Sequence, residues 1–167
     1  SIDLVELSNI KADDAKTLNE KGIEVLKYPN SKIQYMGFNL RNKTLQDVKL
    51  RTAVAYGIDR EALVNGLLEG NGVVINTPMV PSLWSYPKEG LVEYKFDVEK
   101  AKALLKEAGY EDTNGNGIVD KGGKDLELTL TVPTGDTIRE KTGTIIQDNL
   151  SKIGIKVNIE AMEFKAV

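Results

Sequence analysis

The segment from Asp125 to Met162 admits few folds. Its first part, "DLELTLTV", alternates strictly, with Leu126, Leu128, Leu130 and Val132 on one face, the period of a half-buried strand. From about Thr137 to Lys152 the period becomes helical, and Ile138, Thr142, Ile145, Ile146, Asn149, Leu150 and Ile153 gather on one side. Gly154 stops the helix, and "IKVNIEAM" alternates again. Strand, amphipathic helix and strand in such close succession form a βαβ unit with parallel strands and a right-handed crossover. The class is therefore α/β, with this unit in a mixed sheet.

Upstream, the residues predict a short helix from Ala12 to Lys21 closed by Gly22, and then a strand, "GIEVLKY", ending before Pro29. "KIQYMGFNL", residues 32–40, predicts a second strand; both of its faces are largely apolar, which suggests a place inside a sheet. After a turn at "RNKT", two helices meet at Ile58-Asp59, where Asp59 is the N-cap and Ile58 with Leu63 has the spacing of a hydrophobic staple. From Val73 to Phe96, Pro78, Pro81 and Pro87 interleave with Trp84, Tyr86, Leu91 and Tyr94. Prolines forbid a regular ladder there, so the chain runs as a long irregular loop that carries the single tryptophan. Asp97 then caps a helix whose Ala101, Leu104, Leu105 and Ala108 form an apolar stripe ending at Gly109.

Composition removes several functions. The chain has 167 residues, 41% hydrophobic and 28% charged, enough for a real core, and no apolar run reaches the roughly 20 residues of a membrane helix. A net charge of −3, with lysines alternating with acids along helices, argues against a nucleic-acid partner. There is no cysteine and no histidine, which removes disulfides, thiolate and imidazole metal sites, and the nucleophile–histidine pairs of hydrolases. An enzyme is disfavoured. The N-terminal "SIDLVELSNIKADD" has neither the basic start nor the apolar core of a signal peptide.

The stretch "DTNGNGIVD", Asp112 to Asp120, poses the sharpest local question. Counted as an EF-type loop, Asp112, Asn114 and Asn116 fall at positions 1, 3 and 5, Gly117 at 6 and Asp120 at 9. Position 12 is Gly123, so the closing carboxylate is missing, and a strand rather than a helix follows. Two carboxylates without that acid predict about millimolar calcium affinity at best. The residues favour a turn, in which Asn and Gly supply positive φ and Asp caps its own backbone. A calcium-dependent structural or docking module built on Asp112–Asp120 is the competing reading. No metal site or cofactor is expected otherwise.

Taken together, "YMGFNLRN", "LQDVKLRTAVAYGIDREALVNGLLEG", "FDVEKAKALLKEAGYEDTNGNGIVD" and "LELTLTVPTGDTIREKTGTIIQDNLSKIGIKVNIEAMEF" resemble, in order and spacing, the C-terminal lobe of the solute-binding proteins of ABC importers for peptides and, in some branches, nickel. The resemblance implies a periplasmic-binding-protein-like lobe: residues 1–24 as a crossover segment leading into it, and 25–167 as part of the C-terminal ligand-binding lobe. It implies a non-enzymatic receptor, outside the membrane and lipid-anchored in its full-length form. Such a receptor closes on a small peptide or nickel chelate between two lobes and delivers it to an ABC permease. The sequence then reads as an internal piece, with the N-terminal lobe elsewhere in the same protein and the residue that pairs with a peptide's amino group downstream. Within this stretch the resemblance points to the turn after "YMGFN" and the loop around "NTPMVPSLWSY", hence to Asn39, Asn76, Trp84 and Tyr86 as ligand contacts. Amides would bond a peptide backbone and aromatics would cover its side chains. The other reading, that Trp84 and Tyr86 pack the loop onto the lobe, stays open at this point.

Overall fold

A computed structural model describes residues 4–5, 10, 12–28 and 31–163. The chain forms two compact units, Ser1–Lys32 and Ile33–Val167. In the first, helix α1 (Ala12–Glu20) carries Asp13 and Asp14 in its first turn, where they complement the helix dipole. Its last turn closes as Gly22 N–H donates to Asn19 O at 3.0 Å and Ile23 N–H to Leu18 O at 3.0 Å. The strand expected over residues 22–28 does not form. Ile23, Leu26 and Tyr28 lie exposed and only Val25 is half-buried.

In the second unit every long helix starts on an aspartate. Asp47, after a 3-10 turn at Thr44–Gln46, caps α2 (Val48–Gly57); Asp59 caps α3 (Arg60–Leu67), its carboxylate accepting from Ala62 N–H. Asp97 caps α4 (Val98–Glu107), and Asp136 caps α5 (Thr137–Ser151). Each satisfies amide donors that the first helical turn would leave without partners. Ile58 is buried and Leu63 packs against the same cluster, as the staple predicts.

Leu50, Ala53 and Val54 of α2 face Ala101 and Leu105 of α4, and Ile146, Leu150, Ile153 and Ile155 complete the core from the βαβ unit. That unit is parallel: β3 (Glu127–Pro133) pairs with β4 (Lys156–Met162) in a register that sets Leu128 opposite Val157 and Leu130 opposite Ile159. The α5 side chain of Gln147 donates to Val157 O at 2.7 Å and ties helix to strand.

The remaining strands are β1 (Asp120–Lys121) and β2 (Lys124–Asp125), a short antiparallel ribbon. Parallel and antiparallel pairings thus fall in separate two-stranded sheets. The strand expected over residues 32–40 is not part of either. Met36 and Phe38 pack against the core, but Tyr35 is 88% exposed and Leu40 also faces water. Its two-sided apolar pattern reports one packed face, not burial in a ladder.

Candidate functional site

The irregular stretch Val73–Phe96 forms as expected, without helix or strand. Its form follows from two anchors and a tip. At the base, Asp59 N–H donates to the Oδ1 of buried Asn149 at 2.9 Å, which roots the α2–α3 corner on α5. The next residue, Arg60, donates to Ile75 O at 3.0 Å, Asn76 Oδ1 at 2.9 Å and Tyr94 O at 2.8 Å, so one guanidinium holds both ends of the loop. Beside it the Tyr56 and Tyr94 rings meet edge to face at 5.4 Å, and Asp97 N–H donates to Tyr56 O at 2.9 Å. The Lys100 ammonium sits 4.2 Å over the Tyr56 ring. Its pKa is raised, first by hydrogen bonding to Tyr56 and then by Coulombic attraction to Tyr56 and Asp97, against desolvation that lowers it.

At the tip, Leu83 N–H donates to Val80 O and Tyr86 N–H to Leu83 O, two successive turns. Val80 is buried and anchors them, while Trp84 between them is 97% exposed. Trp84 therefore does not pack the loop onto the core. Val80, at the start of the first turn, is the buried apolar residue of this tip. Tyr86 is half-buried.

Asn76 is half-buried, with its side-chain oxygen committed to Arg60. Asn39 lies exposed in the turn before the 3-10 segment, where its side-chain oxygen accepts from Arg41 N–H at 3.1 Å and its backbone carbonyl from Asn42 N–H at 3.0 Å. Three of the four residues named from sequence thus share one loop and Asn39 stands on another segment. Among the described residues no hydrogen bond or ring contact joins any of the four to another. The part that sequence reasoning missed is Arg60. Its acceptors lie 15 to 34 residues away, a pairing that no local pattern signals.

The Asp112–Asp120 stretch behaves as a connector. The Asp112 carboxylate accepts from the amides of Gly115, Asn116 and Gly117, and Asn114 and Asn116 donate their side-chain amides to Asp125. Asp120 is buried, accepting from Thr113 N–H and Oγ1–H and from Gly123 N–H. The Thr113 hydroxyl first, then the Thr113 and Gly123 amides, hold its pKa below the carboxylate range, against desolvation that raises it. Because the folded-state pKa is depressed, this stabilisation is present above the unfolded value of about 4 and is lost as pH falls through the folded one. Asp120→Asn should therefore flatten the acid side of a plot of melting temperature against pH below about pH 4. An unchanged slope would show that Asp120 does not titrate with unfolding.

The profile of the bacterial extracellular solute-binding proteins, family 5 (middle), matches residues 1–167, and the chain belongs to that family. The oligopeptide-binding protein AppA of Bacillus subtilis is 35% identical over 165 residues, covering 98% of this chain and 30% of that protein. The structure of AppA with a nonapeptide superposes at a TM-score of 0.75 and 40% identity, over 78% of this chain and 26% of AppA. NikZ of Campylobacter jejuni with Ni(L-His) superposes at 0.71 and 34% identity, over 78% of this chain and 26% of NikZ. The chain thus spans about 30% of the length of AppA.

Proposed function

We propose that this chain contributes part of the C-terminal ligand-binding lobe of a receptor that captures short peptides outside the membrane and delivers them to an ABC permease. Residues 1–24 lead into that lobe and 25–167 belong to it. The receptor is not an enzyme; it works by closure of two lobes on the ligand, and a lipid anchor holds it at the membrane. Ligand contacts are assigned to Trp84 and Tyr86, with Asn39 and Asn76 as amide partners.

The observation that carries this reading is the family match along the whole chain, taken with a loop that fixes its ends and exposes its indole. Aromatic surface of this kind covers side chains without selecting them, which suits a carrier of varied peptides. Peptide is favoured over nickel chelate because AppA, more similar here than NikZ, was solved with a nonapeptide. The calcium alternative gains nothing from Asp112 and Asp120, whose carboxylates are engaged by backbone amides.

Calorimetric titration of the full receptor with peptides of increasing length and with nickel–histidine tests the reading. Saturable peptide binding at about micromolar Kd or tighter is expected. Binding of nickel–histidine alone would transfer the protein to the metal branch, and binding of neither would sink the proposal.

A further inference from the structure

We propose that Arg60 is the positioning residue that sets the conformation of the Val73–Phe96 loop and, through it, the affinity of the site for peptide. The inference rests on the reading that this loop meets ligand.

The loop needs an external determinant. Among the described residues, the backbone between Asn76 and Tyr94 makes two hydrogen bonds with itself, both within the Val80–Tyr86 tip; the buried Val80 side chain seats that tip, but no backbone ladder fixes the two arms that carry it. A connection this long with so few bonds is expected to sample many conformations, and every ordered residue costs conformational entropy when ligand binds. Arg60 supplies the constraint at both ends at once, reaching Ile75 O and Asn76 Oδ1 on one side and Tyr94 O on the other.

The base from which Arg60 reaches the loop is tied to the core. Arg60 opens α3 directly after Asp59, whose amide is held by the buried Asn149 and whose carboxylate caps the helix. Its guanidinium is part-buried and, among the described residues, meets carbonyl and amide oxygens and no carboxylate. A cation spent on three loop oxygens is an arrangement that a planar fork serves and a lysine's single ammonium cannot fully reproduce. The Tyr56–Tyr94 contact backs the same end of the loop from α2.

The test uses the full receptor, freed of co-purified ligand and probed with a synthetic nonapeptide. Three variants are compared: Arg60→Ala, Arg60→Lys and Trp84→Ala. Arg60→Ala should speed amide hydrogen exchange in residues 73–96 by about ten-fold and weaken nonapeptide binding by about ten-fold, while exchange in α4 and α5 is unchanged. Arg60→Lys should fall between Arg60→Ala and wild type on both readouts. Trp84→Ala should weaken binding without altering exchange.

If Trp84→Ala weakens binding while Arg60→Ala leaves loop exchange and Kd as they were, the Arg60 proposal fails and the loop remains the ligand contact. Should Arg60→Ala loosen the loop while neither it nor Trp84→Ala changes the Kd, the loop does not meet ligand and both readings fail. Faster exchange throughout α4 and α5 in both Arg60 variants would make Arg60 a residue of the fold, and would overturn the proposal as well.

Discussion

Leu105→Ala is expected to be among the most damaging single truncations in this chain, costing about 2–5 kcal/mol. Leu105 is 1% exposed and lies on the α4 face that packs into the cluster of Leu50, Ala53 and Val54. Removing its isobutyl group deletes apolar contact and leaves a cavity between two capped helices that cannot easily close. The adjacent Leu104 is only partly buried against the same cluster, so Leu104→Ala should cost clearly less. Equilibrium urea unfolding gives both values. Equal losses would mean that the α2–α4 interface is not packed as described.

Gly154→Ala is the second large effect, and its contrast with Gly122→Ala shows why. Both glycines have positive φ, 81° and 64°, so alanine at either meets the left-handed penalty of about 1–2 kcal/mol. Around Gly122 a new Cβ meets open space, whereas at Gly154 it would lie 2.8 Å from Val119 Cγ1 and 3.3 Å from the Val119 backbone nitrogen. That nitrogen donates to Gly154 O at 2.8 Å, the bond that joins the connector loop to the end of the βαβ crossover. Alanine must therefore push two backbones apart, and a total loss of about 2–4 kcal/mol is expected at Gly154 against about 1 at Gly122. Thermal unfolding of the two variants measures the difference, and similar melting temperatures would contradict the close approach.

Elements specified by local chemistry were legible in the sequence. The βαβ unit, the Asp59 and Asp97 caps, the break at Ile58-Asp59 and the irregular Val73–Phe96 loop all depend on side chains a few residues apart, and all stand in the structure. What failed depended on partners distant in sequence. The stretches at 22–28 and 32–40 have strand-like alternation, but a strand also requires a ladder, and the pattern of one segment does not say whether a neighbour supplies it.

The β1–β2 ribbon was missed for another reason. Its signal was present: Gly122-Gly123, both at positive φ, is the two-residue turn that a tight hairpin requires. Counting those residues as the tail of a calcium loop concealed it. In the Val73–Phe96 stretch, the irregular course could be read from the prolines, whereas the exposure of Trp84, left open by the sequence, and the role of Arg60 could not, because the oxygens Arg60 holds are gathered only by the fold.

The most direct test of the central claim is native mass spectrometry of the intact protein purified from its own host, followed by denaturation and weighing of whatever it released. A ladder of short peptides is the predicted result. An empty protein that retains only calcium, lost on chelation together with its stability, would contradict the account and make the Asp112–Asp120 stretch the functional element.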